Sequence, residues 1–237
     1  MSVTNPELFE TELVINGIER RNEMQQTILD AVRAIPEDEG IKLVEPYYDP
    51  QQPYTGAYFE LIGSDDKQPD RFTVADLYAV SMLAVQVPAK AGIGILLEQA
   101  ELFDSLLSRV PDVHIKDLSP EDFERHLGPN SVALELWDRL RRNGATEERW
   151  KVGPTTASKI MARKRPHLIP IEDSVVDHVT QRGKRDSWEM WWQAFQDGDD
   201  YLEARADQIR AAVNRPDLST LRVFDVMLWS WGKEQGY

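Results

Sequence analysis

Apolar side chains recur along this chain every three to four residues, and glycine, proline and short polar runs punctuate them. That spacing predicts helices from end to end. Leu8, Phe9, Leu13 and Ile18, then Met24, Ile28, Leu29 and Val32, give two helices between residues 7 and 35, broken at Asn16-Gly17. Thr73-Val-Ala-Asp76 reads as a capping residue with a carboxylate at the third helical position. The helix it opens has apolar residues from Leu77 to Val87 and stops at Pro88. Another runs from about Ile93 to Val110, and a short one starts at Ser119-Pro120 and ends at Gly128. Helices then follow over residues 131–142, 154–164, 173–181, 188–196, 199–214 and 219–231. One stretch departs from this period. Residues 44–71 are rich in Pro, Gly and Asp, and the weak alternation from Tyr54 to Ile62 predicts a short strand with Arg71 to Val74 as its partner. The expected fold is mainly α over residues 1–237, as a single unit or two intimate helical lobes, with a small irregular or β insertion near residues 50–72.

Composition narrows the chemistry. The 237 residues include 41% hydrophobic and 29% charged side chains, enough for a sizeable core and unlike a disordered chain. There is no cysteine, which excludes disulfides, thiolate zinc sites and cysteine-held iron–sulfur clusters. His114, His126, His167 and His178 show no paired ligand spacing, so no zinc site is expected. The first thirty residues are polar, and no apolar run reaches the ~18 residues that span a bilayer. The expectation is a cytoplasmic protein without a membrane segment. The net charge of −14 argues against non-specific coating of nucleic acid. Charge is nonetheless uneven. Between Lys151 and Arg185, eight basic side chains face three acidic ones, a local +5.

That basic segment contains the most informative run of the chain, Val152-Gly-Pro-Thr-Thr-Ala-Ser-Lys-Ile-Met161 followed by Ile169-Pro-Ile-Glu-Asp-Ser-Val-Val176. Gly153 permits a positive φ and close approach of a partner to the backbone. Pro154 suits the first helical position, which leaves the N–H groups of Thr155, Thr156 and Ala157 to receive phosphate oxygens. Lys159 and Arg163, further along the same helix, would add charge. Asp173 opens the next helix, either as its cap or as a ligand-contacting carboxylate. Glu172 points to a different side, and Asp177 lies one turn on. Asp225, inside the apolar run Leu221, Phe224 and Leu228, either pairs with a basic residue or lines a cleft. Trp188, Trp191, Trp192 and Phe195 fall at i, i+3, i+4 and i+7, a spacing that suits a core face as well as a pocket wall; Trp229 and Trp231 raise the same alternative.

Helix, glycine turn and helix over residues 131–164 resemble the helix-hairpin-helix DNA glycosylase superfamily. The match lies at Val152-Gly153, Thr156-Ala157 and Glu172-Asp173-Ser174. The resemblance implies a catalytic role for Asp173, phosphate contacts from Gly153, Pro154, Thr155, Thr156, Lys159 and Arg163, and Trp188 and Trp192 as walls for a base. It also implies DNA or a nucleotide as partner and a monovalent cation held by hairpin carbonyls. Bifunctional members place a lysine eighteen positions before the aspartate; here that position is Thr155, so a monofunctional hydrolysis is expected. Lys151 and Arg149-Trp150 replace the family's first hairpin glycine and its leucine-proline, and Val175 replaces its histidine. The chain as a whole, with Ala157-Ser-Lys-Ile-Met-Ala-Arg-Lys-Arg-Pro166, is also similar to an uncharacterised bacterial family. Three readings follow: a DNA glycosylase-like hydrolase, an N-glycoside hydrolase of a free nucleotide or nucleoside, and a non-catalytic nucleic-acid- or protein-binding module.

Overall fold

The computed structural model describes residues 27–65, 68–142 and 149–237. The first helix expected near residues 7–16 lies outside them. Helices account for most of the described chain, in the order α1 (Ile28–Ala34), α2 (Glu37–Val44), α3 (Val74–Ala79), α4 (Ala89–Ile93), α5 (Ala100–Leu107), α6 (Pro120–Leu127), α7 (Val132–Arg141), α8 (Pro154–Lys164), α9 (Ser174–Val179), α10 (Ser187–Asp197), α11 (Tyr201–Ala212) and α12 (Thr220–Glu234). None of these is long and apolar enough to cross a membrane.

Local chemistry sets where the helices begin. Thr27 with Asp30, and Thr73 with Asp76, form reciprocal capping boxes. Ser119, Ser131, Asp173, Asp186 and Ser219 each accept an N–H of the first turn they precede. Such a cap contributes about 1 kcal/mol. Packing sets where the helices lie. Every residue of α12 from Thr220 to Leu228 is buried, and α12 runs against α2, α9 and α11. A second group joins α5 to α7, α7 to α8, and α8 to α3 and the 3-10 turn Val80–Leu83. One continuous hydrophobic core, from Ile28 to Leu228, serves both groups. Gly232 brings α9 close to α12, because a Cβ there would stand 2.4 Å from Val175 and 2.8 Å from Val179.

The strand expected at Tyr54 to Ile62 is absent. Thr55–Tyr58 is a 3-10 turn followed by further turns, and residues 71–74 lead straight into the Thr73 cap. The reason is a competition for carbonyls. The guanidinium of Arg222 donates to Gly56 O at 2.9 Å, and that of Arg163 donates to the carbonyls of Phe59 (2.8 Å), Glu60 (3.0 Å) and Ile62. With its acceptors taken by side chains from distant helices, the segment has no need of a ladder partner.

Candidate active site

Three polar side chains meet where α8, the start of α9 and the middle of α12 converge. Lys159, on α8, is almost fully buried; its Nζ donates to Leu83 O at 2.9 Å and lies 3.6 Å from Asp173 Oδ2. Asp173 does two things. Its Oδ1 caps α9 by accepting Val175 N–H at 3.0 Å, while Oδ2 faces Lys159. Asp225, on α12, places Oδ2 2.5 Å from Arg222 Nη1. Arg222 is in turn fixed by Glu60 Oε1 (2.7 Å), by Gly56 O and by the Tyr47 hydroxyl, which accepts from Nη2 at 3.0 Å. Gly56 is required here, since a Cβ would fall 1.7 Å from the Tyr47 hydroxyl oxygen.

These groups form one wall of a cavity of about 200 Å³. Aromatic rings form another. Tyr47 and Tyr54 stack with centroids 5.3 Å apart and planes 3° from parallel, and Trp229 stands edge-on to both at 6.0 Å. Met82, Leu83 and Ile171 complete the lining.

Burial governs the electrostatics. It pushes the Lys159 ammonium below the ordinary lysine pKa, against the pull of Asp173 and Asp225. It pushes Asp225 up to about 6; Arg222 and Lys159 oppose that rise and Asp173 reinforces it. On the cavity wall the carboxyl groups of Asp173 and Asp225 stand against the cations of Lys159 and Arg222.

The residues singled out by sequence divide sharply. Asp173 and Lys159 come together. Gly153, Pro154, Thr155 and Thr156 form the start of α8, one turn above Lys159, and no side chain caps that end. Gly153 is not in the expected conformation: its φ is −85°, and the positive φ of the turn belongs to Lys151 at 61°. A Cβ on Gly153 would meet nothing within 4 Å. Trp150, which replaces the family's proline, is a core residue packed on Phe103.

Arg163 is not a phosphate hand. It is half-buried, with its donors committed to the 59–62 carbonyls and to Asp76. Its neighbours behave alike. Lys164 holds Asp76 and Gln68 O, and Arg165 holds the carbonyls of Leu107, Val110 and Pro69 together with Asp70. Arg182 is spent on Asp177 and Glu172, which removes Asp177 from the cavity. The local +5 is therefore largely internal scaffolding rather than a basic surface.

The tryptophan assignments reverse. Trp188 is buried against Trp137, and Trp192 stacks on Phe123 and donates to Leu118 O at 2.9 Å, so neither faces the cavity. Trp229 does. Tyr47, Tyr54 and Glu60 had no local signal in sequence. The stripe Arg222, Asp225 and Trp229, at i, i+3 and i+7 in an otherwise apolar helix, was the readable trace of this wall.

Among the described residues, no group of three or more histidines and carboxylates is placed to hold a metal ion. Neither a curated protein nor a solved structure matches the chain. One family model does, over residues 41–232, a span that includes every residue of the cavity wall. The chain belongs to that family, DUF6308, a family of unknown function.

Proposed function

We propose that the protein hydrolyses the N-glycosidic bond of a free nucleoside or nucleotide. The base would lie in the Tyr47–Tyr54–Trp229 cavity and the anomeric carbon beside Asp173. The observation that carries this is the meeting of Lys159, Asp173 and Asp225 on the wall of an aromatic cavity. Its volume of about 200 Å³ suits one flat ring system, since a cavity of ~150 Å³ accommodates benzene. Tyr54 offers a partly open stacking face, and ring-on-ring contact of this kind is worth about 1 kcal/mol.

Cleavage passes through an oxocarbenium-like sugar. A carboxylate beside C1′ stabilises that charge and takes a proton from the attacking water. Asp173 has the geometry for both, with Oδ1 anchored on the α9 backbone and Oδ2 directed at the cavity. Lys159 is a positioning residue, holding Oδ2 from the opposite side while tethered to Leu83 O. A small substrate is favoured over duplex DNA because the cations of residues 151–185 are mostly turned inward, which leaves little basic surface for a phosphate backbone.

The test is base release from a panel of nucleosides and nucleoside monophosphates by wild type and Asp173→Asn. Turnover by wild type, reduced about 10³-fold in the variant, is the expected result. Release that is absent throughout, or unchanged in Asp173→Asn, overturns the proposal and leaves a binding role.

One observation favours a second reading, a monofunctional DNA glycosylase. The start of α8 lacks a side-chain cap, so the first-turn N–H groups at Thr155 and Thr156 suit a backbone phosphate. Abasic sites formed in duplex oligonucleotides, with binding that weakens steeply in salt, would support it over the first.

A further inference from the structure

Asp225 stands in the cavity wall for a reason the hydrolysis outlined above does not use. Its Oδ2 is held by Arg222 at 2.5 Å. Its Oδ1 has no hydrogen bond among the described residues, and Asp225 lines the cavity. Arg222 has three further partners that fix its plane, Glu60, Gly56 O and the Tyr47 hydroxyl, so the carboxyl it grips has one orientation. Asp173, the other carboxylate, approaches from the start of α9, and among the described residues Lys159 of α8 is the only ammonium that lines the same space. Two carboxyl groups on different elements, one tethered to a backbone N–H and one to a buried guanidinium, are the arrangement in which acid and base roles separate.

We propose that Asp225 is the general acid of the reaction, delivering a proton from Oδ1 to the departing base while Asp173 activates the water; this rests on the N-glycosidase function proposed above. The step balances. The C1′–N bond breaks and its electron pair goes to the base nitrogen system, which takes the Asp225 proton. The water oxygen bonds to C1′ and its proton passes to Asp173. Solvent then returns a proton to Asp225 and removes one from Asp173. The products are the free base and the reducing sugar.

The groups that face Asp225 agree with this role. Burial favours its protonated form, and Asp173 adds to that. Arg222 from its own helix and Lys159 from α8 oppose it, with Glu60 and Tyr47 facing Arg222 rather than Asp225. The balance leaves the carboxyl titrating at about 6, within reach of the pH at which it must work.

The experiment exploits the leaving group. A purine nucleoside methylated at N7 already carries its positive charge and departs without an acid; its unmethylated counterpart needs one. Base release from guanosine, inosine and adenosine, and from 7-methylguanosine and 7-methylinosine, is measured for wild type, Asp173→Asn and Asp225→Asn. Asp225→Asn is expected to slow the unmethylated purines about 10²-fold more than the methylated ones, whereas Asp173→Asn slows both classes alike. Equal slowing of both classes by Asp225→Asn overturns the proposal and leaves the N-glycosidase function standing. Release from no substrate by wild type overturns that function and this acid together.

Should Asp225→Asn fail to fold, wild type alone decides. Its kcat with adenosine must fall as pH rises above about 6, and with 7-methyladenosine, a cation with no ring N–H to lose, it must not. Parallel profiles for the two classes overturn the role of Asp225.

Discussion

Helix α8 carries two charged clusters one turn apart, and they are built in opposite ways. Arg163, Lys164 and Arg165 reach carbonyls of residues 59–70 and 107–110 and the carboxylates Asp70 and Asp76, committing donor after donor. Lys159 has one carbonyl, Leu83 O, and one carboxylate at 3.6 Å. The first cluster is saturated and holds two loops against a helix. The second leaves part of its hydrogen-bonding capacity turned to a cavity. A saturated network fixes structure; an unsaturated one keeps polar atoms available.

The difference can be broken from either side. Asp173→Asn should have the largest effect, a loss of about 10³-fold in turnover, equivalent to about 4 kcal/mol in the barrier. Its thermal midpoint should scarcely move, because asparagine caps a helix as well as aspartate does. A turnover assay beside a melting curve separates the two. Arg165→Ala should show the reverse, about 2–4 kcal/mol lost in chemical denaturation, since it leaves the buried carbonyls of Leu107 and Val110 without their donor. Lys159→Met sharpens the contrast. Replacing this desolvated cation, whose burial cost offsets its contacts with Asp173 and Leu83 O, by an apolar chain of similar length should change stability by about 1 kcal/mol or less while lowering turnover about tenfold or more.

Acid titration should separate two carboxyls, the buried Asp225 and the half-buried Glu203. Asp225, raised to about 6, contributes stability that is complete below its unfolded value near 3.8 and is lost as pH rises through 6. At Glu203 burial acts to raise the pKa, but hydrogen bonds from His114 and Thr220 and the charges of His114 and Lys116 hold it at about 2. Its contribution is present above about 4.5 and disappears as pH falls through 2. Denaturation midpoints of Asp225→Asn and Glu203→Gln against wild type should therefore diverge in opposite directions with pH. Gly153→Ala should do least, shifting stability by about 0.5 kcal/mol or less, as φ is −85° and the site is open. A rise in KM for nucleoside monophosphates but not for nucleosides in that variant would indicate phosphate contact at the start of α8.

Much of the fold was readable because its signals are local. Thr73 with Asp76, and Ser119 with Pro120, mark helix starts within four residues, and α7, α8, α10 and α12 fall close to their expected bounds. Tyr54 to Ile62 was misread as a strand because Arg163 and Arg222 satisfy its carbonyls from more than a hundred residues away. The same blindness made the basic segment look like a surface. At the site, Asp173 and Lys159 were visible as part of one motif. Trp229 was not distinguishable from Trp188, since both recur at helical spacing; only the approach of Tyr47 and Tyr54 decides which ring borders a void.

Arg205 donates to the carbonyls of Val32, Ile35 and Pro36, where α1 ends and α2 begins. During synthesis those carbonyls emerge long before their donor does. The first two described helices therefore wait, unfastened, until α11 has left the ribosome, and the cavity waits longer still, because Tyr47 precedes α11 in the chain and Trp229 follows it. Assembly of the site is a late, long-range event. A nascent chain halted before α12 would hold Asp173 and Lys159 without Arg222, Asp225 and Trp229 of the same cavity.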